Sequence, residues 1–214
     1  MSKGFWGIII ALIVIFAGIF ALNGHKTADS PGNSSDGKPT EHIQGKGSSG
    51  VTLVEYGDFQ CPVCGRYYPI VKQIEAKYND QIRFQFRNYP LTNIHPNAFS
   101  AARAVEAADM QGKFWPMHDA LFETQEQWGR LEDASSFFGG LATRIGLDSA
   151  KFKKDYASSA ANDRINADLT AGKKLGVEGT PTFFINGKKI KTPQSFEEFS
   201  KVIDEAIANQ QKQN

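Results

Sequence analysis

The chain has 214 residues, 41% of them hydrophobic and 22% charged. That is an ordinary globular composition, enough for one medium domain with additions and a full core. Of its 24 basic residues only Lys3 falls in the first 24 positions, which hold no acid, so the remainder is balanced at 23 of each sign. A neutral domain gives no electrostatic basis for binding nucleic acid or an anionic lipid surface.

The first element in chain order is an almost unbroken apolar run from Gly4 to Leu22, preceded by Lys3. At about 1.5 Å per residue such a run nearly spans a hydrocarbon core roughly 30 Å thick. It predicts an N-terminal transmembrane signal anchor over residues 1–24, a single-pass membrane protein with its catalytic domain on the extracytoplasmic side. The competing reading is a cleaved signal peptide and a secreted or periplasmic product. That needs a shorter apolar stretch and a small-x-small cleavage site, which Phe20-Ala21-Leu22 does not supply. No cysteine stands directly after the run, where Asn23-Gly24-His25-Lys26 follow, which argues against a lipid anchor.

Residues 25–50 are rich in glycine and serine and poor in apolar side chains, so they read as a flexible linker. His25 and His42 fall in it, and no metal role is expected for either. Folded structure is expected over 51–209, followed by a short tail at 210–214. Val51 to Tyr56 is a β-prone run. After Cys61, Tyr67, Ile70, Val71, Ile74 and Tyr78 recur at helical spacing, with Pro69 inside as a kinking residue. Ile82, Phe84 and Phe86 alternate with Arg83, Gln85 and Arg87, the pattern of a strand with one buried face.

From about 95 to 175 the chain reads as helical throughout. Segments at 98–110, 114–125 and 135–145 are followed by one or two helices that Asp148 caps and that end near Lys174. Thr182 to Ile185 is a strand, Asn186-Gly187 a tight turn, and Lys188 to Lys191 the return strand. Ser195 and Glu198 suit a capping box opening a last helix to about Asn209. The expected fold class is α/β: one central mixed sheet with helices on both faces and a helical subdomain inserted between its two halves.

Two cysteines, Cys61 and Cys64, are the only ones in the chain. Cys61 follows a strand and precedes a helix, with Pro62 at the first helical position where a missing N–H costs nothing. A thiol there faces unpaired N–H groups and the positive end of the helix dipole, which favour thiolate. Cys64 lies one turn on, along the same face and deeper. Cys61 is therefore the attacking sulfur and Cys64 the resolving one.

Two structural readings compete with a redox pair. Half a zinc site would need further ligands, and His95 and His118 stand near no second ligand in finger-like spacing. A structural bridge closing so small a loop would remove little chain entropy. No metal and no cofactor beyond the Cys61–Cys64 disulfide is expected. Downstream, Thr180-Pro181 sits just before a strand. A proline there removes a ladder donor and can take a cis bond that exposes neighbouring backbone groups to a peptide, although an ordinary turn proline reads the same way. His95 and His118 read as structural, and Phe114, Trp115, Phe122 and Trp128 as the core of the insertion.

The runs Glu55 to Cys64, Asn97 to Ala108, Phe114 to Phe122 and Gly176 to Asn186 resemble the DsbA-like branch of the thioredoxin superfamily, in order, over roughly residues 40–209. The resemblance implies a thioredoxin fold, a cis-Pro181 loop beside the dithiol, and thiol–disulfide exchange with proteins. Pro62, Val63, Thr180 and Pro181 would then meet the substrate. Glu55 falls where that family places a buried acid beneath the dithiol. It would accept the proton of Cys64, or else form a salt bridge at the sheet.

Pro62-Val63 departs from the histidine-bearing pair of the best-known oxidases, which predicts a milder oxidant. The function expected is donation of the Cys61–Cys64 disulfide to exported proteins that carry cysteines. A membrane redox partner would reoxidise the dithiol, and the protein would be a monomer. The rivals are an envelope reductase or isomerase and a tethered, redox-regulated binding module.

Overall fold

The computed structural model of the chain describes residues 39–212. The proposed membrane anchor over 1–24 and the first part of the linker lie outside them, as does the end of the tail. Among the described residues no helix is long and apolar enough to cross a membrane.

The sheet is built around β2 (Val51–Gly57), which runs parallel to β3 (Ile82–Asn88), with Val51 opposite Ile82 and Gly57 opposite Asn88. The crossover between them carries α1 (Pro62–Tyr78), which buries Cys64, Val71, Ile74 and Tyr78 on one stripe and holds Pro69 in its interior. On the other edge of β2 lies β4 (Thr182–Ile185), antiparallel, and β5 (Lys188–Lys189) pairs with it. Asn186 and Gly187 both have positive φ (48° and 78°), the two-residue turn whose twist matches a right-handed hairpin. Adding β1 (His42–Gln44) gives a five-stranded mixed sheet in the order β1-β3-β2-β4-β5.

Within the described part of residues 25–50, β1 corrects the reading of a flexible linker. His42–Gln44 pairs antiparallel with Phe84–Phe86. The chain that follows is pinned by backbone bonds from Lys46, Ser48 and Ser49 to the carbonyls of Asn79, Asp80 and Gln81. Hydrophobic patterning could not reveal this strand. Its one aliphatic residue, Ile43, faces outward, while His42 is buried by polar and stacking partners: Glu106 Oε1 at 2.8 Å and the Phe114 ring at 3.6 Å between centroids.

Between the halves of the sheet the helical block comprises α2 (Ala98–Asp109), α3 (Phe114–Glu123), α4 (Gln125–Trp128), α5 (Ser135–Arg144), α6 (Ser149–Tyr156) and α7 (Ser159–Lys174). The single helix read over 114–125 stops at Thr124, whose hydroxyl bonds back to the Ala120 carbonyl at 2.6 Å, a local competitor of the helical ladder. The two helices after Asp148 have separate caps: Asp148 accepts from Lys151 N and Ser158 from Ala161 N. Ser195 caps the last helix, α8 (Phe196–Gln211), by accepting from Glu198 N. The Glu198 carboxylate reaches back to Gln194 N at 2.7 Å, one residue before the cap.

Alternation along the strands divides the side chains between two cores. Val51, Leu53, Phe84, Phe86, Phe183 and Ile185 share one with α1, α8 and the insertion helices, Trp128 and Phe138 included. Tyr56, Tyr89, Val177 and Phe184 form a smaller one with Leu169 of α7. Each fully buried large side chain contributes about 1.5–3 kcal/mol, so the larger core carries most of the stability.

Candidate active site

Cys61 is the N-cap of α1, with an extended backbone (φ −66°, ψ 120°) and no side-chain cap of its own. Because helix starts leave N–H groups unpaired, those of Val63 and Cys64 are free to face the Cys61 sulfur. The Cys61 thiol is pulled down to about 5 chiefly by the hydrogen bond from the Cys64 thiol. Burial opposes the shift, and the two backbone donors reinforce it. Cys64 moves the other way. Burial raises its thiol well above the ordinary range, helped by the proton it shares with Cys61 and by the Glu55 carboxyl. Both cysteines are unbridged; Cys61 retains 5% exposure and Cys64 none. The pair is thus split into an outer sulfur poised as thiolate and an inner one held as thiol.

The loop before β4 closes over this turn. Cys61 Sγ lies 3.4 Å from the Thr180 carbonyl, and the Thr180–Pro181 peptide bond is cis. Val63, Tyr67, Ile70, Thr180 and Pro181 line a cleft of about 530 Å³ beside the sulfur. Pro62 is exposed next to it. The structure therefore brings Cys61, Cys64, Pro62, Val63, Thr180 and Pro181 to one end of the sheet, although more than a hundred residues separate the two groups.

Glu55 sits on β2 beneath the turn, opposite Phe86 on one side and Phe183 on the other. Among the described residues it has no ion-pair partner, so the salt-bridge alternative does not hold. Burial, then the charges of Glu75 and Cys61, push its carboxyl up to about 8. The raised value favours the protonated acid at neutral pH, and the charge of Glu55, when ionised, raises the Cys64 thiol.

Residues that the sequence reading passed over complete the site. Asp58 is buried; its carboxylate accepts from Gln60 N, Leu91 N and His95 Nδ1 at 2.8, 2.9 and 2.7 Å, and its carbonyl accepts from Cys61 N. Gln60 bonds across to Asn97 N and the Gly129 carbonyl. Gln125 bonds the carbonyls of Phe59 and Cys61. The one signal in the sequence was their polarity beside an otherwise apolar turn. His95 is structural, holding Asp58. His118 is fully packed among Phe59, Phe86, Phe114, Trp115 and Phe122, with Nδ1 3.0 Å from Asp119. Phe114, Phe122 and Trp128 are buried as core, and Trp115 packs against it.

Away from the dithiol, His42, Glu106 and Asp109 bring potential metal-ligating atoms together. Arg164 already contacts both carboxylates, at 3.2 and 2.6 Å, and balances their charge together with His42. These residues form a closed ion-pair network and leave no excess negative charge to attract a cation.

Residues 37–205 match the family model described as Thioredoxin. Among solved structures, oxidised BdbD from Bacillus subtilis aligns with a TM-score of 0.71 at 24% identity, over 80% of this chain and 96% of that one. DsbA1 (alpha) from Wolbachia pipientis gives 0.71 at 21% identity over 82% and 94%. A thioredoxin-like oxidoreductase from Silicibacter pomeroyi gives 0.64 at 26% identity over 79% and 93%. In sequence, the chain is 38% identical over 169 residues to the Na(+)/H(+) antiporter NhaA 3 of Salinispora tropica, covering 79% of this chain and 25% of that protein. The chain spans about a quarter of the length of such curated relatives, and their ion transport is a property of those longer proteins. With the family match and the sheet order together, the chain belongs to the thioredoxin family and is an oxidoreductase whose split dithiol suits thiol–disulfide exchange.

Proposed function

We propose that the chain acts outside the cytoplasm as a disulfide oxidase, held at the membrane by residues 1–24 and donating its Cys61–Cys64 bridge to exported proteins. The observation that carries this reading is the Cys61 thiol, drawn down to about 5 by the Cys64 hydrogen bond and the helix-start N–H groups. Stabilising the thiolate stabilises the reduced enzyme, which makes the disulfide form a better oxidant.

A substrate thiolate attacks Cys61 Sγ, the Cys61–Cys64 bond breaks, and Cys64 leaves with the electron pair. Glu55, protonated at neutral pH, gives Cys64 its proton. A second substrate thiolate then attacks the substrate sulfur of the mixed disulfide, and Cys61 leaves as a stable thiolate. The products are a substrate disulfide and a reduced enzyme, so two electrons have moved inward. A membrane-bound, quinone-linked oxidoreductase is the class of partner that would remove them, and tethering would raise the local concentration of the pair. An extended substrate segment would lie in the cleft along Val63, Thr180 and Pro181, over Pro62. With Val63 offering only its backbone N–H, the couple is a milder oxidant than histidine-bearing relatives.

Cys64→Ala would trap the mixed disulfide. The expected result is a set of covalent adducts with cell-envelope proteins, and a wild-type Cys61–Cys64 pair that is mostly oxidised in cells. No adducts would overturn the reading, and a mostly reduced pair would replace the oxidase with a reductase or isomerase.

A further inference from the structure

Gln125 opens the short helix α4 of the insertion, 61 positions beyond Cys64 in the chain. Its amide nitrogen donates to two carbonyls of the redox turn at once, Phe59 O at 2.7 Å and Cys61 O at 2.9 Å. The residue between them, Gln60, reaches the opposite way: Nε2 to Gly129 O at 2.9 Å, with Oε1 accepting from Asn97 N at 2.6 Å. The two glutamines form a reciprocal clasp between the redox turn and the insertion. α4 is held rigidly for this task. Trp128 is fully buried and donates its indole N–H to Leu121 O at 2.9 Å, and the end of α3 at Thr124 lets Gln125 turn toward the redox turn.

The helix bearing the cysteines makes room for the contact. A Cβ on Gly65 would collide with Gln125 Oε1 and lie 3.1 Å from Nε2. Gly65 lies within α1, where glycine is disfavoured by about 1 kcal/mol relative to alanine, and it has no positive φ to explain it. A side chain here would have to push the Gln125 amide aside.

We infer that Gln125 is a positioning residue for the dithiol: it fixes the Phe59–Cys61 carbonyls so that the first N–H groups of α1 stay aimed at Cys61 Sγ. Its amide also offsets the dipole of the Cys61 carbonyl, which would otherwise disfavour a thiolate on the same residue. The insertion is thereby part of the redox centre, and any movement of α4 alters the stability of the reduced form. The inference rests on the dithiol chemistry of the proposed function but not on its direction. An isolated protein in glutathione buffer tests it even where the oxidase reading fails.

The test is Gln125→Met, which keeps length and packing but removes the donor, beside Gly65→Ala, which displaces the amide from the other side. Thiolate absorbance against pH and the equilibrium constant with glutathione would be measured for each, with thermal melting as a folding control. Both variants should titrate at higher pH. Both should also oxidise glutathione less well, by roughly three- to tenfold, since only part of the energy of the two lost hydrogen bonds acts on the thiolate. The double variant should go little further than either single one, since both break the same contact. Altered melting with an unchanged thiolate titration and equilibrium constant in both variants would overturn the inference and leave Gln125 as packing alone.

Discussion

The two ends of the sheet bury ionisable groups in opposite ways. At the β1–β3 edge the buried charges His42, Glu106 and Asp168 are paired. Glu106 contacts His42, Asn88 and Arg164; Asp168 accepts from Thr40 twice, from Asn88 N and from Arg87 at 3.1 Å. At the redox end Glu55 has no counter-ion, and Cys61 and Cys64 share one proton between them. Paired burial fixes protonation states and anchors a strand. Unpaired burial moves proton affinities toward neutral pH, which suits proton and thiolate chemistry. Similar depth yields a scaffold in one place and a reaction centre in the other.

The sharpest way to break this contrast is to unpair the scaffold. Arg164→Ala leaves Glu106 and Asp109 facing each other beside His42, and should cost about 3 kcal/mol of stability, read by denaturant unfolding. The dithiol titration should be unaltered. A loss below about 0.5 kcal/mol, the range of an exposed pair, would show that the network is not the anchor described.

The converse change removes the unpaired acid. Glu55→Gln keeps the volume but cannot give up a proton. Opening of the Cys61–Cys64 bridge by a model thiol should slow by roughly a hundredfold, as expected for a lost proton-transfer group. Stability should hold or rise, because a buried carboxyl without a counter-ion no longer has to be accommodated. An unchanged rate constant in stopped-flow fluorescence would remove Glu55 from the mechanism.

The contrast also has a pH dependence. Burial opposes the charge on His42, but Glu106 and Asp109 outweigh it and raise the imidazole from 6.5 to about 9. The folded state therefore keeps a proton that the unfolded chain releases. The stabilisation is complete below pH 6.5 and is lost as pH rises toward 9. Glu55, raised from 4.5 to about 8, has the same sign over a lower window. In the oxidised protein, where neither cysteine titrates, stability should fall across pH 7–9, and His42→Gln should flatten that decline. A wild-type profile as flat as the variant's would mean that His42 is neutral in the fold.

Much of this molecule was legible from local pattern. Alternation in Ile82–Asn88, helical spacing in Pro62–Tyr78 and the Asn186-Gly187 turn each encode an element within a few residues, because backbone preference and one-sided burial act over that range. His42 shows the limit. It lies in a stretch whose composition reads as linker, and it is held by Glu106, 64 positions away. Thr124 shows another: a hydroxyl that turns back on its own helix splits a segment whose apolar spacing is continuous.

The sequence by itself determined the chemistry of Cys61 and Cys64, because a cysteine followed by proline at a helix start meets unpaired N–H groups wherever that helix is placed. It did not determine how strongly Cys61 would hold its charge. That depends on how far the fold buries the turn, on the Thr180–Pro181 loop laid against the sulfur and, in the positioning role proposed for it, on Gln125 reaching over from the insertion. Each rests on contacts between segments far apart in the chain, made only when the two halves of the sheet and the helices between them close around one turn.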